Sequence, residues 1–206
     1  MKIVQTPIDG FLIIEPNIYE DERGFFLETF QGEVYKNHGI KDHFVQDNQS
    51  RSSKGVLRGL HFQFMHPQAQ IVTVMRGVIF DVGVDLRPHS KSFGKWFGVE
   101  LSDSGQRQIY MAPGIAHGFC VLSDFADLHY KVSRFYDHKD ERGLLWNDPT
   151  LNISWPQKDF AINKRDANYP QLTDHYFTGD YPVKPIDGLG DDKITQLSLL
   201  STASNN

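Results

Sequence analysis

The chain has 206 residues, 39% of them hydrophobic and 13% aromatic, which is enough to build one core. Its net charge of −5, with no run of basic residues, excludes an extended nucleic-acid surface, which needs a basic stripe to neutralise phosphates. The single cysteine, Cys120, excludes an internal disulfide, and no apolar run approaches the roughly 20 residues that cross a bilayer, so no membrane role and a reducing, cytoplasmic location are expected.

In chain order, the first predicted element is a short helix at residues 30–38. Residues 71–75 read as a strand, closed by a hairpin turn at Arg76 and Gly77. Residues 78–86 alternate strictly: Val78, Phe80, Val82, Val84 and Leu86 share one face, and Ile79, Asp81, Gly83 and Asp85 share the other. That period of two predicts a half-buried strand. Residues 96–101, 107–112, 118–123 and 128–136 read as further strands, with turn signals at 88–90, 102–105, 113–114 and 123–124. Cys120 lies in an apolar strand, where a thiol packs rather than reacts. Residues 163–167 read as a turn. Short strands at this spacing predict an all-β sandwich or barrel with a few short helices. No repeat or linker divides the chain, so residues 1–186 are read as one domain and the polar residues 187–206 as a tail, with a short helix near 194–200.

Polar chemistry concentrates in three strand-like segments: residues 57–63 (LRGLHFQ), 113–119 (PGIAHGF) and 128–131 (LHYK). The first two resemble the paired metal-binding motifs of cupin barrels. Yet Gln63 stands where a second histidine would, and only His61 and His117 are evident ligands. A stable transition-metal site wants three, so no metal is expected, and acid–base chemistry is the natural use for two histidines in a barrel mouth. Taken singly, each candidate has an ordinary reading. Tyr130 shares a face with Leu128 and Val132 like a core tyrosine, Asp166 sits where a turn or cap residue would, and Arg58 could be a surface charge.

Together, residues 21–28 (DERGFFLE), 46–50 (QDNQS), 56–63, 113–119, 141–143 (ERG), 146–149 (WNDP) and the Asp166 segment resemble the dTDP-4-dehydrorhamnose 3,5-epimerase family, over about residues 6–181. The resemblance implies a cupin-like double-stranded β-helix, or jelly-roll barrel. It implies an isomerase acting on a 4-keto sugar linked to a nucleoside diphosphate, with no cofactor and no metal. His61 would be the base that removes a proton beside the ketone, Tyr130 the acid that returns one to the opposite face, and Asp166 the carboxylate that orients the histidine. Arg58 would offer its planar fork to a phosphate. Gln46, Asn48, Ser50 and Tyr136 match positions lining substrate and diphosphate, and His117 one near the sugar. Arg23, Phe26 and Glu28 match positions that reach the nucleotide from a neighbouring subunit, which implies a homodimer.

Two points of the sequence set tests. Simple alternation puts Arg58 on the opposite strand face from His61 and Gln63, so a shared site requires a bulge or bend at Gly59. Gln70 stands where the resemblance leads one to expect a lysine that holds the developing enolate. An amide donates a hydrogen bond but no charge, which opens two alternatives to the usual double inversion of a dTDP sugar: inversion at one carbon only, or a sugar carried by GDP or CDP. A metal-dependent cupin isomerase or oxygenase and a non-catalytic sugar-nucleotide binder are the competing classes. The joint presence of His61, Tyr130 and Asp166 argues against mere binding.

Overall fold

The computed structural model describes residues 1–88 and 90–172; the expected tail, its short helix and His89 of the predicted 88–90 turn lie outside these. The strands are β1 (Lys2–Gln5), β2 (Phe11–Glu15), β3 (Ile18–Asp21), β4 (Gly24–Leu27), β5 (Gln46–Ser53), β6 (Leu57–Gln63) and β7 (Gln70–Arg76). They continue as β8 (Val78–Asp85), β9 (Trp96–Ser102), β10 (Gln108–Met111), β11 (Ile115–Val121), β12 (Phe125–Val132) and β13 (Glu141–Gly143). One helix, α1 (Gly32–Asn37), and a 3-10 turn at Asp166–Asn168 complete the described elements. No helix among them is long and apolar enough to cross a membrane.

Two antiparallel sheets carry the fold. One has the order β1-β2-β10-β7-β12-β5 and the other β13-β6-β11-β8-β9. Their facing sides bury one cluster, drawn from Val72 and Val74 of β7, Ile79 of β8, Leu101 of β9, Phe119 of β11 and Leu128 of β12. This is the expected all-β sandwich, closed by burial of apolar surface between the sheets. A second cluster covers the outer side of the five-stranded sheet: Leu144, Leu151 and Leu172 pack on Leu60, Val82, Val84 and Leu86. A third sits on the outer side of the six-stranded sheet, where Tyr35 of α1 and Ile40 pack on Leu12, Ile14 and Ile71. The α1 N-terminus is capped by Gln31, whose side-chain oxygen accepts the Val34 N–H at 2.8 Å.

The reading of residues 78–86 as half-buried is corrected here. β8 runs centrally between β11 and β9, and both its faces are covered. Its apolar face meets the outer cluster, while the face carrying Ile79, Asp81 and Gly83 points into the sandwich. The period of two marked two interiors, not core and solvent. Polar residues survive there because they are paired: Asp85 accepts bonds from Arg87, Ser90 and Ser92. Gly83 is required by the Phe11 ring, which would lie 2.6 Å from any Cβ at that position. The strand expected at 128–136 begins earlier, at Phe125, and ends at Val132, because Ser133 leaves the ladder to bond Ala69 through its N–H and its hydroxyl. Cys120 is buried and its thiol is pushed up to about 11 by desolvation, in keeping with a packing role.

The hairpin β3–β4 joins neither sheet. It carries Tyr19, Phe25 and Phe26 in the open, with Phe26 70% exposed.

Candidate active site

A cavity of about 320 Å³ opens into the sandwich, and both sheets line it. The five-stranded sheet contributes Arg58, His61 and His117. The six-stranded sheet contributes Gln46, Asn48, Gln70 and Tyr130, and Tyr136 closes the rim. These residues, singled out in the sequence, therefore meet in one place together with Ser50, and Asp166 lies directly behind His61. Arg23, Phe26 and Glu28 do not. They lie on or beside the separate hairpin and touch no part of this cavity in a single chain.

The bulge at Gly59 is present. His61 pairs with His117 and Arg58 with Phe119, so Gly59 and Leu60 together face Gly118 alone. Gly59 has a φ of +123°, and a Cβ there would fall 2.5 Å from the Gly118 Cα and 2.8 Å from the His117 carbonyl oxygen. Only glycine fits. The shift turns Arg58 to the cavity, where its Nε donates to the Ser52 hydroxyl at 2.9 Å.

His61 Nε2 lies 3.0 Å from Asp166 Oδ1. The Gly59 N–H donates to the other oxygen of Asp166 at 3.1 Å, so the residue that makes the bulge also holds the carboxylate. Burial would raise the Asp166 pKa. The His61 hydrogen bond and charge, the Gly59 N–H and Arg165 overcome that and bring it to about 2. An ionised Asp166 accepts only, so His61 carries its proton on Nε2 and Nδ1 holds the lone pair. Tyr130 is pushed up by burial and drawn back by the nearby Arg58 charge. Its hydroxyl is thus protonated at neutral pH, beside a cation that favours the phenolate once the proton leaves.

Beside His61, His117 Nε2 meets Asp81 Oδ2 at 2.8 Å. Asp81 is fully buried, desolvation raises its pKa against the pull of His117, and its Oδ1 has no hydrogen-bond partner among the described residues. Each histidine thus commits one ring nitrogen to its own carboxylate. Among the described residues no three His, Cys, Asp or Glu side chains gather closely enough to share a metal ion. Gln63, the departure from the cupin ligand pattern, is buried and accepts the Asp137 N–H at 3.2 Å.

Sequence reasoning missed Asp81, Arg165 and Tyr169. Asp81 was hidden by its place in an alternating strand. Arg165 precedes Asp166 directly, and its guanidinium Nη2 stands 3.5 Å from His61 Nε2. Tyr169 packs edge-on against the His61 ring, with centroids 5.7 Å apart.

Comparison with known proteins identifies the family. A family model described as dTDP-4-dehydrorhamnose 3,5-epimerase matches residues 5–174. The chain belongs to this family of sugar-nucleotide epimerases. The dTDP-4-dehydrorhamnose 3,5-epimerase of Methanothermobacter thermautotrophicus is 45% identical over 177 residues, covering 84% of this chain and 96% of that one. The epimerase structure from Legionella pneumophila in complex with dTDP-4-keto-L-rhamnose is 48% identical, covers 84% of this chain and 93% of that one, and superposes with a TM-score of 0.81. ChmJ, a 3'-monoepimerase from Streptomyces bikiniensis in complex with dTDP-quinovose, is 32% identical, covers 82% and 86% of the two chains, and superposes with a TM-score of 0.77. The sandwich is accordingly the cupin-like jelly roll of these epimerases, and the chain is an isomerase.

Proposed function

We propose that the protein epimerises a 4-keto-6-deoxy hexose linked to a nucleoside diphosphate, inverting the carbons that flank the ketone. One observation carries this reading: His61 and Tyr130 face the same cavity from different sheets. A hexose held between them offers one ring face to a base and the other to an acid. His61 Nδ1 takes the proton beside the C4 carbonyl, and the electron pair moves into an enolate. Asp166 stabilises the imidazolium. Tyr130 gives its proton to the opposite face of the same carbon, which inverts it, and Arg58 steadies the phenolate left behind. His61 and Tyr130 then return to their starting protonation states by exchange with water. The C4 oxygen has Gln70 and Arg58 as donors in the cavity wall.

Gln70 supports a narrower second reading, inversion at one carbon only. A neutral amide in place of a cation weakens enolate stabilisation, commonly by a few kcal/mol, and the harder of the two proton removals suffers first. One assay tests both readings. The protein is incubated in deuterated water with dTDP-, GDP- and CDP-linked 4-keto-6-deoxy sugars, and deuterium at carbons 3 and 5 is read by NMR. Exchange at both carbons of the dTDP sugar is the expected result, exchange at one supports the second reading, and exchange at neither with any donor sinks the proposal.

The same proposal includes a homodimer in which the hairpin of one protomer completes the pocket of the other. Its support is the apolar hairpin itself, which a lone chain leaves bare. Phe26→Ala should raise KM about tenfold with kcat within a factor of two, the pattern of lost uniform binding. A fully active monomer in sedimentation, or an unchanged KM, would contradict it.

A further inference from the structure

Glu141 heads β13, cross-strand from Gln63, and the chemistry above gives it no task. Its carboxylate is 12% exposed. It accepts a very short bond from Arg165 Nη1 and the Tyr169 hydroxyl at 3.4 Å. Its charge adds to burial in pushing up both the Tyr136 and the Tyr169 hydroxyls. Gly143, two residues on, leaves room for the Tyr169 ring, which would lie 2.3 Å from any Cβ there.

Arg165 is therefore shared. Its Nε stands 3.2 Å from Asp166 Oδ1, the oxygen that His61 Nε2 meets at 3.0 Å. Its Nη2 is 3.5 Å from His61 Nε2 itself. Two donors compete for one carboxylate oxygen. A guanidinium fork laid bidentate on a carboxylate outcompetes a single imidazole N–H, because it makes two charge-assisted bonds in plane. What holds the Nη1 end of the fork off Asp166, leaving Nε alone upon it, is Glu141.

We propose that Glu141 is a positioning residue: by anchoring Arg165 through Nη1 it limits the guanidinium to a single bond on Asp166 Oδ1, keeps that oxygen open to His61, and so holds the imidazole in its Nε2-protonated form. The inference rests on the reading of His61 as the base. Without Glu141 the guanidinium, half exposed and already touching Asp166 through Nε, loses its second counter-charge and turns its fork to the carboxylate that remains in reach, Asp166. His61 then loses its orienting partner, and Nδ1 no longer carries the lone pair in every molecule.

The test compares wild type, Glu141→Gln, Glu141→Asp and Glu141→Gln/Arg165→Met, each confirmed folded by circular dichroism. Long-range proton–nitrogen NMR reads the His61 tautomer, and deuterium exchange reads kcat and KM. Wild type and Glu141→Asp should show Nε2–H alone. Glu141→Gln should show mixed tautomers and a kcat about tenfold lower with KM little changed, the mark of a disturbed catalytic group rather than lost binding. Removing Arg165 as well should restore the Nε2–H form and raise kcat several-fold above the single variant. A wild-type tautomer in Glu141→Gln, or a double variant no better than the single, overturns the inference. If wild type itself exchanges no deuterium, the epimerase reading fails, while the tautomer spectra still decide the role of Glu141.

Discussion

His61→Ala should reduce deuterium exchange at both carbons by about 10²–10⁴, the range for losing a positioned general base. Neither His117 nor Tyr130 can replace it. His117 has its Nε2 committed to a carboxylate that desolvation already pushes toward the neutral form. Tyr130, the proposed acid, is kept protonated by burial. The variant also leaves Asp166 buried with the Gly59 N–H and Arg165 as partners, so a loss of roughly 1–3 kcal/mol in stability is expected from the under-satisfied carboxylate. Because the folded value of Asp166 lies near 2, below the ordinary carboxylate, its stabilisation is present above about pH 4 and is lost as pH falls toward 2. Assays and unfolding curves at neutral pH therefore compare enzymes with Asp166 charged. Exchange within tenfold of wild type would remove His61 from its role.

Tyr130→Phe should separate two events that wild type couples. The base and its carboxylate remain, so the proton still leaves and deuterium still enters, now returned by His61 to the face it came from. Inversion should fall by about 10²–10³, the usual cost of a missing general acid, while exchange falls far less. Tyr130 is half-buried on β12, cross-strand from Val72 and Asn48, so losing one hydroxyl leaves the packing of its ring in place. The measurement is the ratio of inverted to exchanged product by NMR. An unchanged ratio would place the acid elsewhere.

The sequence carried these two residues unevenly. Regular strands such as β7 and β9 were legible because apolar side chains recur every second residue. β5 was not, since QDNQSRSS has no apolar signal; it forms because every residue pairs with β12, and its polar inner side chains Gln46, Asn48 and Ser50 serve the cavity rather than the core. β8 was legible as a strand and misread as to its surroundings, because alternation reports two faces and not what covers them. The covering layer, residues 144–172, has little period of its own. The Gly59 bulge could be inferred from a conflict: Arg58 and His61 could share a site only if the strand broke phase between them. Arg165 and Asp81 needed coordinates. Their importance lies in which carboxylate or ring nitrogen they meet, and those partners are 24 and 36 residues away for the Arg165–Glu141 and Asp81–His117 pairs (165 − 141 and 117 − 81).

The placement of His61 and Tyr130 on opposite sheets has a mechanical meaning. Facing sheets stand about 10 Å apart, a separation set by the side chains packed between them. Here those spacers are ordinary core residues such as Leu128, Val74 and Phe119, well buried and chemically inert. They act as shims. A smaller or larger side chain among them changes the opening into which a sugar ring must fit, and with it the reach of His61 and Tyr130. Turnover in this protein is then partly a property of its hydrophobic interior.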